Sequence, residues 1–361
     1  MKKTIILLLS TLLVSSCSKV DYSNSQFNSS NESSNSSKES THSSINTSTI
    51  THSSREGETE VIVNGKKDID QDAFYNEFYD YKSDIEISLK FKNESIYKLA
   101  KYSSDEYKKD MYHPCDMTIY MNGTNYVFNE VGARMKGNTS RNDDFVEENG
   151  KFKAPVHFKV SVSQTFDDKD DNDYYIRNWE NDDLRNERKK RRIGDAKKFD
   201  IKYNKNFDNT FTRQIYAYNA FYEEGLTVQK NNLVKVNIYS ETDKMTQLYE
   251  LQECIDSEFI ERRFSEEEAS GNLYKCTYTD RGPADLTNYD NKIIGVESPN
   301  YHPSYDLKTN DDEEDHTLLK NVIDTWYQNN MTSYTEKLED TIFCNDRGIE
   351  SLGGWGSTGG N

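Results

Sequence analysis

The sequence is poor in apolar side chains: they make up 34% of its 361 residues, and mean hydropathy is −0.97. That is too little for a core running the whole length, so one main folded domain with tails is expected. Cationic residues are also the minority, 45 against 63 acidic ones for a net charge of −18. The deficit argues against non-specific nucleic-acid binding and makes any basic cluster conspicuous. Cysteine is scarce, and none has metal-ligand spacing, so a zinc site is not expected. With Cys17 set aside, Cys115, Cys254, Cys276 and Cys344 read as isolated buried thiols, although an extracytoplasmic location permits disulfides in any of three pairings. GxxxxGK(S/T), HExxH, GxSxG and CxxC are all absent, which removes the usual support for P-loop, zincin, hydrolase-elbow and redox chemistry.

What is present begins with a leader. Lys2 and Lys3 precede an apolar run from Ile5 to Val14 that is too short to span a bilayer permanently. The run ends in Val14-Ser15-Ser16-Cys17, which resembles a bacterial lipobox. That resemblance implies a signal peptide over 1–16, cleavage before Cys17, lipidation of its thiol, and an extracytoplasmic protein anchored to the bacterial cell membrane. An ordinary signal peptide with an incidental cysteine is the alternative. Residues 17–58 are mostly Ser, Asn and Thr and cannot bury enough apolar area to offset chain entropy, so they read as a disordered tether of about 35 Å r.m.s. reach.

Folded sequence is expected from residue 59. "DIEISLKF" puts Ile85, Ile87, Leu89 and Phe91 on one face at period two, a strand. "MTIYMNGTNYVFNEVGARMKG" reads as two strands around a type I′ turn at Asn122-Gly123. "APVHFKVSV" adds Val156, Phe158, Val160 and Val162 in alternation. From Gln164 to Phe211 the pattern collapses into an acidic block and a basic one, Arg185 to Lys198, that reads as a solvated loop or as a docking surface for acidic tails or wall polymers. "NTFTRQIYAYNAFYEEG" reads as a helix capped by Asn209 or Thr210, with Phe211, Ile215, Tyr218 and Tyr222 at helical spacing and Gly225 as its left-handed stop. Strands over "LVKVNIYS", "TQLYELQE" and "GNLYKCTY", a short helix over "SEFIERRF", and helices over "HTLLKNVIDTWYQNN" and "SYTEKLEDTI" follow. The order predicts an α+β fold, a mainly antiparallel sheet with packed helices.

Charged residues recur at strand ends: Arg134, Lys136, Lys153, Lys159, Glu253 and Lys275, with Arg213 early in a helix. On their own, Arg134 and Lys136 read either as the basic end of a hairpin or as a phosphate cradle. Five segments in order resemble the CotH kinase family of atypical protein kinases, first associated with bacterial spore coats. They are "GARMKGNTSR", "KFKAPVHFKV", "TFTRQIYAYNAFYEEGL", "LVKVNIYSE" through "QLYELQECIDSEFI", and "GNLYKCTY", spread over nearly the whole stretch from Asp84 to Lys275.

The resemblance implies a kinase-like fold over 59–340 and transfer of the ATP γ-phosphoryl group, with Mg²⁺ or Mn²⁺, to a protein hydroxyl. Such transfer asks for cations on the phosphates, a carboxylate orienting the lysine, ligands on the metal and a base near the acceptor. By the resemblance Arg134, Lys136 and Lys153 would contact phosphate, Asn138 would let the backbone approach, and Glu253 would be a lysine's carboxylate partner. The family's later Asn- and Asp-rich blocks, which carry its base and metal ligands, have no counterpart here, so the domain reads as incomplete at its C-terminal end and catalytic and metal residues stay unassigned. "CNDRGIESLGGW" instead resembles part of another family of bacterial surface proteins, and 341–361 form a Gly-rich tail. Two readings follow: an anchored kinase-like protein that is degenerate or truncated, or a non-catalytic surface lipoprotein that binds a protein or cell-wall polymer.

Overall fold

Alternating apolar and polar residues build most of the ordered chain into strands. The computed structural model describes residues 5–8, 59–137, 140–168, 173–204, 208 and 210–327. Cys17, the tether, Asn138, Asn209, Cys344, the second tail helix and the Gly-rich tail lie outside the described residues. In chain order come β1 (Ile5–Leu8), β2 (Thr59–Ile62), α1 (Gln71–Phe78), β3 (Ile85–Lys90), α2 (Asn93–Tyr102), β4 (His113–Met121) and β5 (Thr124–Met135). Next are β6 (Phe158–Ser161), α3 (Asp182–Lys190), β7 (Lys198–Tyr203), α4 (Arg213–Glu223), β8 (Asn231–Tyr239) and β9 (Lys244–Glu253). The last are α5 (Ser257–Arg263), α6 (Glu266–Ala269), β10 (Asn272–Cys276), β11 (Tyr278–Thr279), β12 (Gly282–Pro283), β13 (Tyr305–Leu307) and α7 (Thr317–Tyr327).

Seven strands form a closed ring in the order β5-β4-β3-β8-β9-β7-β6, with β6 returning to β5. Ring neighbours are antiparallel except β3 and β8, which run parallel. This closed mixed barrel corrects the expectation of a kinase-like α+β fold with helices packed on an open sheet. Alternation places the strands but does not reveal the closure. β5 is twelve residues long and takes a left-handed turn at Glu130, φ 53°. Before the turn, Thr124 to Val127 pair with β2; after it, Gly132 to Met135 pair with β6. One strand thereby ends one pairing and begins the one that shuts the ring.

The predicted faces are the faces that pack. Ile87, Leu89, Met117, Ile119, Phe128, Val160, Ile201, Val236, Ile238 and Leu251 are wholly shielded and share one core. Phe78 of α1 meets Phe199 edge-on at 5.5 Å, and Phe145 and Phe91 flank Phe158. The hairpin turn is as expected, with Asn122 at φ 49° and Gly123 at φ 90°. α4 departs from its pattern, because of its residues only Ile215 is buried while Tyr222 is half exposed. Asp208 caps it, accepting the N–H of Arg213 at 2.9 Å. Gly225 at φ 80° ends it, as the sequence suggests. A second, smaller core joins Tyr274 of β10, Leu307 of β13 and Leu319, Val322 and Ile323 of α7. β1, from the expected leader, runs parallel to β10.

Candidate functional site

The barrel's register brings together a polar row that the sequence scatters. Arg134 of β5 stands opposite Lys159 of β6, Lys159 opposite Asp200 of β7, Asp200 opposite Gln252 of β9, and Gln252 opposite Asn231 of β8. Their chain neighbours Met135, Phe158, Ile201 and Leu251 point into the core. By period-two alternation the row therefore lies on the barrel's outer face. Lys136 continues β5 by donating its backbone N–H to His157.

Asp200 is the hub. Its carboxylate, only 3% exposed, is paired with Lys136 through one oxygen and lies 3.0 Å from Lys159 through the other. Burial works against its charge, but Lys136 and then Lys159 outweigh that and hold its pKa down at about 2. Lys159 also suffers from burial, yet Asp200 raises its pKa above the usual lysine value. Its ammonium sits 3.0 Å from the Cys254 sulfur. Burial, with Asp200 adding to it, pushes that thiol up to about 12, so it is no nucleophile at neutral pH. Lys202, two residues on, is lowered by burial and then by Lys136. Glu250 beside it is raised by burial. On the rim, Asp110 pairs with Arg134 and lies 3.3 Å from Arg141. Lys275 of β10 is close enough for the charges of Asp110 and Lys136 to act on it, while its neighbours Lys308 and Asp306 pair with each other at 2.5 Å. Six cations, Arg134, Lys136, Arg141, Lys159, Lys202 and Lys275, thus surround three carboxylates. The face is locally positive on an acidic protein.

Sequence-predicted site residues fare unequally. Lys136 and Lys275 do converge, from segments far apart in the chain. Arg134 reaches the rim. Lys153 is remote from them in its contacts, pairing with exposed Asp144 at 2.9 Å. Arg213 is exposed and lies 3.6 Å from Asp208. Asn138 lies outside the described residues. The expectation for Glu253 is corrected: among the described residues its ion-pair partner is Arg263 and not a lysine. It stands opposite Phe199 on the inward face of β9, one residue out of phase with Gln252. There Arg263 of α5 holds it at 2.5 Å and 3.0 Å, the Tyr75 hydroxyl donates to it at 3.0 Å, and the Lys230 backbone N–H donates at 3.0 Å. It ties α1, α5 and the start of β8 to one end of the barrel. Glu253→Ala is expected to leave Arg263 unpaired and cost roughly 3 kcal/mol of stability. Urea denaturation checks this, and affinity for any ligand on the Lys136 face should not change.

The carboxylate that pairs with Lys136 is Asp200, which sequence reasoning missed. The signal was there: in "KFDIKY" the residues Lys198, Asp200 and Lys202 alternate with Phe199 and Ile201, but the strand lies inside the charged stretch read as a loop. The basic block is likewise not solvated throughout. Arg188 and Arg191 are buried at 8% and 1% exposure, and α3 carries Asp182 and Asp183 in its first turn and Arg188, Lys189 and Lys190 in its last, matching the helix dipole. Cys115, Cys254 and Cys276 are buried, as expected. Among the described residues no group of three or more His, Cys, Asp or Glu is arranged to hold a metal ion. Also among the described residues, no helix is long and apolar enough to cross a membrane. Compared with protein-family models and with curated proteins, the chain matches none.

Proposed function

We propose that this protein is a membrane-anchored, extracytoplasmic binder of a phosphate-bearing ligand, ATP being the one that its resemblance to the CotH kinase family suggests. The observation that carries the reading is the cationic surplus around Asp200 on a chain of net charge −18. A lysine whose head is fixed by a carboxylate is a recurring phosphate contact in phosphoryl-transfer proteins. Lys136, about one-third exposed, is such a lysine, and Asp200 is its partner. A pre-positioned head loses less freedom when it meets an anion than a free one does. Lys275 and Arg141 flank it with further positive charge. The proposal is of binding, and no residue is assigned to a transfer step.

Calorimetry with the full chain is expected to show saturable Mg-ATP binding. Lys136→Ala should weaken it by about tenfold, near 1.4 kcal/mol. Binding should also weaken steeply with salt, since it rests on exposed charge. No heat and no thermal shift with Mg-ATP or inorganic triphosphate would sink the reading.

A further inference from the structure

A second site, at the edge of the barrel formed by the start of β8, has a different chemistry. Between the C-terminal end of α1, the outer face of α4 and the residues entering β8 lies a cleft of about 260 Å³. Tyr81, Tyr218 and Tyr222 wall it, and Asn219, Lys230 and Asn231 supply polar atoms. We infer that this cleft binds one pyranose ring of an oligosaccharide.

Four observations support the assignment. Tyr81 and Tyr222 are 71% and 54% exposed, although they bound a concavity rather than scatter over the surface. Tyrosine rings left uncovered around a cleft are what a binding surface presents and a packed helix does not. Second, Asn231 is 2% exposed, and among the described residues its Oδ1 has no hydrogen-bond partner. Its Nδ2 donates to Glu250 at 3.2 Å, which fixes the amide. A buried, unsatisfied acceptor in the lining asks for a hydroxyl or amide donor from a ligand. Third, Lys230 lies over the rings of both Tyr75 and Tyr222, at 5.0 Å and 5.5 Å, so Tyr222 is held in place rather than free to collapse into the cleft. Fourth, the volume is just below the range of about 300–1,000 Å³ typical of drug-sized ligands, which suits a single ring rather than a folded chain.

The mixture of aromatic walls and amides selects the class. A pyranose has an apolar C–H face, whose slightly positive hydrogens are drawn to the negative face of a tyrosine ring. Its equatorial hydroxyls, or an acetamido N–H, meet acceptors and donors such as Asn219 and Asn231. A purely apolar ligand would leave those amides unpaired. A strongly anionic one would rely on Lys230 alone, with exposed Asp80 opposing it at the rim.

The cleft shares Asn231 with the outer polar row but its lining holds none of the cations grouped around Asp200, so the two proposals can fail independently. Calorimetry of the full chain against N-acetylglucosamine tetramer and glucose tetramer is expected to show saturable binding of at least one, weakened about tenfold or more by Tyr222→Ala and by Asn231→Ala. Lys136→Ala should leave that binding unchanged. Because Asn231 is buried and its variant can misfold, Tyr81→Ala serves as the second wall variant and should weaken binding in the same direction. Failure of both tetramers to bind at millimolar concentration overturns the inference. So does binding that survives Tyr222→Ala and Tyr81→Ala, or AMP occupying the cleft in place of either sugar.

Discussion

Asp200→Asn is expected to lower folding stability by about 4 kcal/mol, because it leaves Lys136 and the largely buried Lys159 facing each other without a counter-charge. Against a typical total of about 5–15 kcal/mol this is a major loss. Urea denaturation at pH 7 measures it, and Asp200→Glu, which keeps the charge, should recover part of it. A loss below about 1 kcal/mol would mean that the two lysines find other partners or water. The same carboxylate predicts a pH signature. Its folded pKa of about 2 lies below the unfolded value of 3.8, so its contribution is fully present above the unfolded pKa and disappears as pH falls through the folded one. A shift of that size is worth roughly 2.5 kcal/mol. The stability gap between the parent protein and Asp200→Asn should therefore narrow by about that amount between about pH 5 and pH 2. An unchanged gap over that window would contradict the paired, ionised Asp200 described above.

Arg191→Ala is the other large effect. The Arg191 guanidinium is 1% exposed and donates Nε to the Val162 carbonyl at 2.5 Å and its two terminal nitrogens to the Asn129 and Glu130 carbonyls at 2.9 Å and 3.1 Å. These carbonyls belong to the left-handed turn at Glu130 and to the chain leaving β6, the two places where β5 is handed from β2 to β6. Arg188 reinforces the turn through the same Glu130 carbonyl at 2.6 Å and its carboxylate at 3.1 Å. Burial, then Arg188 beside it, lower the Arg191 pKa, and the Glu130 charge is the largest influence opposing them. Alanine would take this donor from the Val162 and Asn129 carbonyls, leave the Glu130 carbonyl to Arg188 alone and open a cavity, for a loss of about 4 kcal/mol. Lysine should rescue little, since a single ammonium cannot reproduce the planar fork. Thermal denaturation of the three proteins tests this, with a fall of about 10 °C expected for alanine. If lysine restored the parent value, the fork geometry would not matter.

Strands with clean alternation were legible: "DIEISLKF", the Asn122-Gly123 hairpin and "LVKVNIYS" fold as read, and "APVHFKVSV" does so over Phe158–Ser161, because one buried face is enough to write period two into a sequence. β7 was not, since its outward face is Lys-Asp-Lys within a run of charges, and charge alternation resembles solvated chain until a partner strand is known. Ring closure was not legible either, because it depends on one residue, Glu130, adopting a left-handed conformation that glutamate seldom takes. The site was half legible. Lys136 and Lys275 were readable as cations at strand ends, but the carboxylate that pairs with Lys136 depends on register across β5, β6 and β7, and a one-residue phase difference put Asp200 outside and Glu253 inside. The tyrosines of the cleft carried no period that set them apart from core aromatics.

The ring also imposes an order on how the molecule can be made. β3 and β8 lie side by side, so Glu86 must wait for Lys235, and β5 cannot finish its ladder until β6 and β7 exist. No early portion of the chain forms a closed unit. A chain delivered N-terminus first keeps the edge of β3 open until β8 arrives and that of β7 open until β9 arrives, and distant pairings of this kind fold slowly. During that interval the hairpin β4–β5 is the largest local piece able to persist, and its unpaired edges are templates for association with another copy. Once β8 and β9 bridge β3 to β7, every ring strand has a neighbour on both sides. Vulnerability to self-association therefore belongs to the nascent chain, and ends in the single step that closes the barrel.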